Sequence, residues 1–135
     1  MGTPYHHAVS SAKRFGGKPE DYQAIHDWFD ASKEHHANIT HRMLRHHSQG
    51  IAECERTFGT TITNSDGKKI PVKLVAEQHV KEDFGGFIPS LSDWCKAITP
   101  QRWMFKGTIS NEMLNDGGTV TAESTLKEGE IKCQD

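Results

Sequence analysis

Between residues 26 and 58 the chain reads HDWFDASKEHHANITHRMLRHHSQGIAECERTF, a helix-compatible stretch that holds six of the nine histidines. Imidazole nitrogens together with carboxylate oxygens suit zinc, manganese or ferrous iron. His26 and Asp30 stand four residues apart, so on a helix they lie one above the other and can reach the same ion. In one continuous helix His26, Asp30, Ala37, His41 and Leu44 share a narrow sector. His41 would then stand about 22 Å up the axis from His26, at 1.5 Å per residue, too far for a shared ion. A chain reversal near Asn38 removes that obstacle and lets His26 and Asp30 face His46 or His47, with His7 and His79 closing the site from flanking helices. The candidate metal ligands are therefore His7, His26, Asp30, His41, His46, His47 and His79.

The plainer alternative is a polar packing surface in which each imidazole is satisfied by a carboxylate or a carbonyl. His35-His36 and His46-His47 are adjacent pairs whose side chains point about 100° apart, so one member of each at most serves as a ligand. There is no HExxH and no CxxC. Lys13, Arg42 and Arg45 are the candidates for holding a phosphate by charge-assisted hydrogen bonds. Their ordinary role would be a solvated face or pairing with residues such as Glu34 and Glu53. Glu77, Glu82 and Asp83 surround His79 and offer a general base or a carboxylate that orients the imidazole. The chemistry such a set suggests is metal-activated water attacking a phosphoester or nucleotide. The rival is a non-enzymatic interaction protein. His26-Asp27 is also the dipeptide of the HD metal phosphohydrolases, but the match is two residues long and that fold needs more helix than this chain offers.

The elements that must position these residues follow from local signals. Thr3-Pro4 is an N-cap and first-turn pair and Gly16-Gly17 a stop, which predicts a helix over residues 4–15. Pro19 opens a second helix, with Tyr22, Ile25, Trp28 and Phe29 as its apolar stripe, running at least to His35. Asn38 caps or kinks the stretch, and a third helix is expected over 39–57. Strand composition at 60–63, a turn at 64–67 and alternation over 69–75 predict a hairpin, with Pro71 at an edge. Short helices are expected over 76–84 and 90–97. The fold class is mainly α with some β (α+β): a compact helical domain over residues 1–106 with one small β-hairpin near 60–75. A flexible acidic tail follows over 107–135, where two lysines stand against six acidic residues.

The remaining totals bound the function. A chain of 135 residues makes one domain. A net charge of −2 argues against nucleic acid as the partner, and no apolar run is long enough to span a membrane. With no leader pattern either, a cytoplasmic protein is expected. Three scattered cysteines, Cys54, Cys95 and Cys133, read as free thiols in a reducing compartment.

A longer pattern resembles an uncharacterised His-rich domain family encoded by bacteria and their phages. It comprises His7 with residues 10–13 (SSAK), 15–17 (FGG), 21–22 (DY), 25–30 (IHDWFD), 32–33 (SK), 41–42 (HR), 45–47 (RHH), 50–51 (GI), 77–80 (EQHV) with 82–83 (ED), and the segment from Ile88-Pro89 to Trp94. It covers residues 5–104 and leaves out the tail. The resemblance implies that these pieces form one unit and that the protein comes from a phage, acting in the host cytoplasm. It lends no catalytic residues. In that setting the partner is a phosphate-containing small molecule or a host protein, the latter if the domain inhibits a host defence enzyme.

Overall fold

The computed structural model describes residues 3–36 and 38–105. Contacts divide the chain into two compact units, Met1–Leu91 and Ser92–Asp135. The first holds α1 (Pro4–Phe15), α2 (Gln23–Asp30), α3 (Ser48–Phe58), strands β1 (Thr61–Thr63) and β2 (Lys69–Pro71), and α4 (Val72–Asp83). α5 (Leu91–Cys95) crosses the division, and a 3-10 turn (Arg102–Met104) belongs to the second unit. The fold is α+β and mainly helical, as expected. The tail expected over 107–135, and Cys133 within it, lie outside the described residues.

α1 begins and ends where its caps predict: Thr3 Oγ1 accepts from the His6 N–H at 3.3 Å, and Gly16 takes φ +89° as the chain leaves the helix. α2 stops at Asp30 and tightens into a 3-10 turn (Ala31–Glu34), shorter than the expected run to His35. The helix expected over 39–57 is two elements. Residues Ile39–Leu44 form a 3-10 segment, Arg45–His47 break the path, and α3 starts afresh at Ser48. His47 is extended (φ −165°, ψ 174°) and its Nδ1 caps the new helix by accepting from the Gly50 N–H at 3.0 Å. Gly50 permits this close turn, because a Cβ there would lie 1.7 Å from the Arg45 carbonyl oxygen.

The hairpin pairs Thr61 with Pro71, Ile62 with Ile70 and Thr63 with Lys69. Its second strand ends at Pro71, not at Val75. Pro71 has no N–H to give to the ladder, and Val72 at once begins α4, four residues earlier than alternation suggested. Val72 and Val75 are buried, one helical turn apart, which is why the apolar residues of 70–75 satisfy a helix as well as a strand. Ala8, Tyr22, Ile25, Phe29, Ile51, Cys54, Ile70, Val72, Val75, Ala76 and Val80 form the core. Burial pushes the Cys54 thiol up to about 12, so it stays protonated and behaves as a small apolar side chain. Cys54 and Cys95 are free thiols.

The turn is tied to the rest by polar contacts. Asn64 Oδ1 accepts from the Asp66 and Lys68 N–H groups at 3.0 Å, while its amide reaches the Tyr22 hydroxyl at 3.2 Å. The half-buried Asp21 accepts through its carboxylate from the Lys18 N–H (2.7 Å), the Ser65 N–H (2.9 Å) and the Ser65 hydroxyl (2.7 Å).

Gly50→Ala is expected to destabilise the domain by roughly 1–3 kcal/mol, read from urea unfolding midpoints, because the added methyl overlaps a backbone carbonyl. The hydrogen bonds from Lys18 and Ser65 hold the Asp21 carboxyl below its ordinary 3.8. A depressed folded value means that this stabilisation is complete above the ordinary value and is lost as pH falls through the folded one. Asp21→Asn should therefore flatten the acid limb of the stability profile below about pH 4 and leave its shape near neutrality unchanged.

Candidate metal centre

Four separate segments deliver imidazoles and carboxylates to one buried spot. α2 contributes His26 and Asp30, and α4 contributes His79 and Asp83, each pair at i, i+4 on one helical face. His7 comes from α1, His41 and Arg42 from the 3-10 segment, and His46 from the break before α3. The chain reverses between α2 and His41, since the Ser32 hydroxyl donates to the His41 carbonyl at 3.1 Å. That reversal replaces the 22 Å separation of a straight helix by direct approach to Asp30.

Asp30, His46, His79 and Asp83 each offer one ligand atom, all within 4.8 Å of one another, and the group could hold a metal ion. His46 Nε2 lies 3.0 Å from Asp83 Oδ2 and 3.3 Å from Asp30 Oδ1. His79 Nε2 lies 3.4 Å from Asp83 Oδ2, 3.6 Å from Asp30 Oδ1 and 3.2 Å from His46 Nε2. Four ligands about 2.0–2.1 Å from a tetrahedral ion stand about 3.3 Å apart, which these five separations match; the sixth, between the two carboxylate oxygens, lies within 4.8 Å. His41 Nε2 is 3.5 Å from Asp30 Oδ1, and His7 Nε2 is 3.2 Å from Asp83 Oδ1, flanking the quartet on opposite carboxylates.

The outward nitrogens determine which atom carries each proton. His41 Nδ1 is 2.9 Å from the Asn38 carbonyl oxygen, which only accepts, so the ring proton sits on Nδ1. His7 Nδ1–H donates to Glu82 Oε1 at 2.7 Å. Each ring then turns Nε2 toward a carboxylate oxygen, where a lone pair repels unless a cation lies between or the ring takes a second proton. Burial opposes ionising Asp30, but hydrogen bonds from His46 and His79 outweigh it and hold the carboxyl far below the usual range. Asp83 behaves alike, with His46, His7 and His79 overcoming its burial. Burial also works against charging His7, yet Asp83 and Glu82 raise its pKa. His26 is the contrast: burial first, then His79 and His7, push it down to about 2, and it stays neutral.

The other expected residues fall as follows. His26 faces the cluster through His79: its Nδ1 is 2.9 Å from His79 Nδ1, and its Nε2 is 2.8 Å from the Ser11 hydroxyl. His47 is committed to capping α3. Arg42 is buried, with Nη2 3.7 Å from Asp83 Oδ1. Arg45 lies over the Trp28 ring at 4.0 Å and donates to the Trp28 carbonyl, and Lys13 is exposed in the last turn of α1. Asp27, the second half of the HD dipeptide, is exposed and accepts from the Gln23 amide. His35 and His36 are exposed. The sequence offers Asp83 as a base or an orienting carboxylate rather than as a candidate ligand, and does not single out Ser11 and Gln78, which bond to His26 and to the His7 carbonyl. A signal for Asp83 was there: His79 and Asp83 repeat the His-x-x-x-Asp spacing of His26 and Asp30.

Asp83→Ala removes the carboxylate that His7, Arg42, His46 and His79 all face, and should cost about 3–5 kcal/mol in urea unfolding. Asp27→Ala, the exposed control, should stay within about 0.5 kcal/mol of the parent.

Among the described residues no helix is long and apolar enough to cross a membrane. No curated protein and no solved structure matches the chain. A family model for a domain of unknown function, DUF6915, matches residues 2–104, and the chain belongs to that family.

Proposed function

We propose that this domain binds one divalent transition metal ion, held by Asp30, His46, His79 and Asp83 with His7 and His41 at its flanks. The observation that carries this is the set of imidazole Nε2 atoms converging on two ionised carboxylates at separations of 3.0–3.6 Å. Charge supports a cation. Asp30 and Asp83 bring two buried negative charges and Arg42 one positive, and Glu82, 36% exposed, adds a third negative charge that is screened. Lys33 reaches Asp30 from 3.7 Å but is 45% exposed, so its charge is screened. Two nitrogens and two carboxylate oxygens favour zinc; recruitment of His7 and His41 would suit manganese or ferrous iron.

The same geometry favours a closed site. His46 and His79 are fully buried, and His7 and His41 nearly so, which leaves little room for an exchangeable water. A closed ion ties α1, α2, the 3-10 segment and α4 together and adds its binding free energy to folding. Hydrolysis of a phosphoester or nucleotide is the second reading. Arg42, a buried guanidinium beside Asp83, favours it as a stabiliser of phosphate charge next to a metal that would lower the pKa of its bound water.

Protein purified without a histidine tag should contain about one equivalent of zinc, manganese or iron per chain, and chelation should lower its Tm by several degrees. Asp30→Asn with His79→Ala should abolish both the metal and the shift. Less than a tenth of an equivalent, with no thermal response to any of the three ions, would sink the proposal. Turnover of a nucleotide or phosphomonoester panel by the loaded protein, lost in Arg42→Gln while metal is retained, would establish the hydrolytic reading over the closed one.

A further inference from the structure

Behind the cluster runs a chain of hydrogen bonds that is buried except at Glu82. It starts at His79, whose Nδ1 meets His26 Nδ1 at 2.9 Å. His26 Nε2 meets the Ser11 hydroxyl at 2.8 Å, and that hydroxyl reaches the Gln78 side-chain oxygen at 3.2 Å or the His7 carbonyl at 3.1 Å. The Gln78 amide donates to the His7 carbonyl (3.1 Å) and to Glu82 Oε2 (3.3 Å), and Glu82 Oε1 accepts from His7 Nδ1 at 2.7 Å. Ser11, His26 and His79 are 0% exposed and Gln78 5%, so no solvent substitutes for a missing partner. The chain begins at one imidazole facing Asp83 and ends at another.

Two Nδ1 atoms 2.9 Å apart need one to donate and the other to accept, so the chain runs in one of two directions. In the first, Ser11 donates to His26 Nε2, His26 Nδ1–H donates to His79 Nδ1, and His79 is left with its proton on Nε2, directed at Asp83. In the second, His79 Nδ1–H donates to His26 Nδ1, His26 Nε2–H donates to Ser11, and Ser11 passes its proton on to Gln78 or the His7 carbonyl. Only the second leaves the His79 Nε2 lone pair turned inward.

We propose that His26 and Ser11 are positioning residues for the metal, their hydrogen bonds fixing His79 with its proton on Nδ1 and its Nε2 free to bind. This rests on the metal-binding reading above. His26 thereby does for His79 what the Asn38 carbonyl does for His41 and Glu82 for His7, and it touches no ion itself. A histidine in this place differs from a carbonyl or carboxylate in that it can reverse. In the loaded state the second direction holds, each ring keeping one proton.

The test combines tautomer and affinity. Two-bond proton–nitrogen spectra of zinc-loaded, tag-free protein should show His79 protonated on Nδ1 and His26 on Nε2. In zinc titrations His26→Phe, which keeps a ring but no hydrogen bond, should bind at least about tenfold more weakly. His26→Gln, whose amide both accepts and donates, should recover most of that loss. A loaded spectrum with His26 protonated on Nδ1 would overturn the proposal, as would a folded His26→Phe protein that holds zinc as tightly as the parent. If His26→Phe does not fold, the parent spectrum decides alone. A parent that takes up no zinc, manganese or iron overturns the metal reading and this one with it; a parent that binds with the reversed spectrum overturns this one only.

Discussion

Two carboxylates share a buried space with four imidazoles, and the rest of the domain is arranged to make that tolerable. Removing Asp30 and Asp83 from water costs several kcal/mol per ion, a debt that only close, well-directed partners offset. No single helix can supply them, because a helical face presents only residues three or four apart to one point. α2 and α4 therefore face each other, each bringing one histidine and one aspartate, while α1 and the 3-10 segment add His7 and His41 from the sides. Apolar rings close the walls. Phe29 stacks on His79 with centroids 4.8 Å apart, and Phe84 packs against His46 at 6.0 Å, which lowers the local dielectric and strengthens every charge interaction inside.

The backbone between α2 and α3 follows from the same demand. A regular helix through residues 39–57 would carry His41 and His46 on different faces, since five residues turn the chain through about 500°. A 3-10 segment ending in an extended break instead delivers both toward Asp30, with Nε2 atoms 3.5 and 3.3 Å from the same oxygen. The break needs a new helix start and a tight passage. His47 provides the cap and Gly50 the space, so one member of the His46-His47 pair serves the cluster and the other serves the backbone.

Burial of the site bears on its chemistry. A metal held by groups so buried would add its binding free energy to the fold. Three of the imidazoles are held from behind, His41 by a carbonyl, His7 by a carboxylate and His79 by an imidazole and a hydroxyl. Such outer partners set which nitrogen is free to bind, and with it the charge that the centre presents.

Local chemistry alone set much of the secondary structure. Thr3-Pro4 and the glycines at 16–17 bound α1, Pro19 precedes α2, and the turn at 64–67 closes the hairpin, because caps and turns are decided by residues within four positions of each other. The histidines and Asp30 were legible as a set for a similar reason: type and spacing are written in the chain. What spacing cannot express is where the chain turns back, and that is decided by which residues are buried together. Tertiary packing ended β2 at Pro71, broke the third helix at Arg45–His47 and sorted the histidines. It brought His41 and His46 to Asp30, set His26 behind His79, gave His47 to a helix cap and left His35 and His36 in solvent. It also admitted Asp83, which by sequence is one acidic residue among several on α4. Its identity as a partner of Asp30 comes only from separate segments meeting in a buried space too charged to stand without compensation.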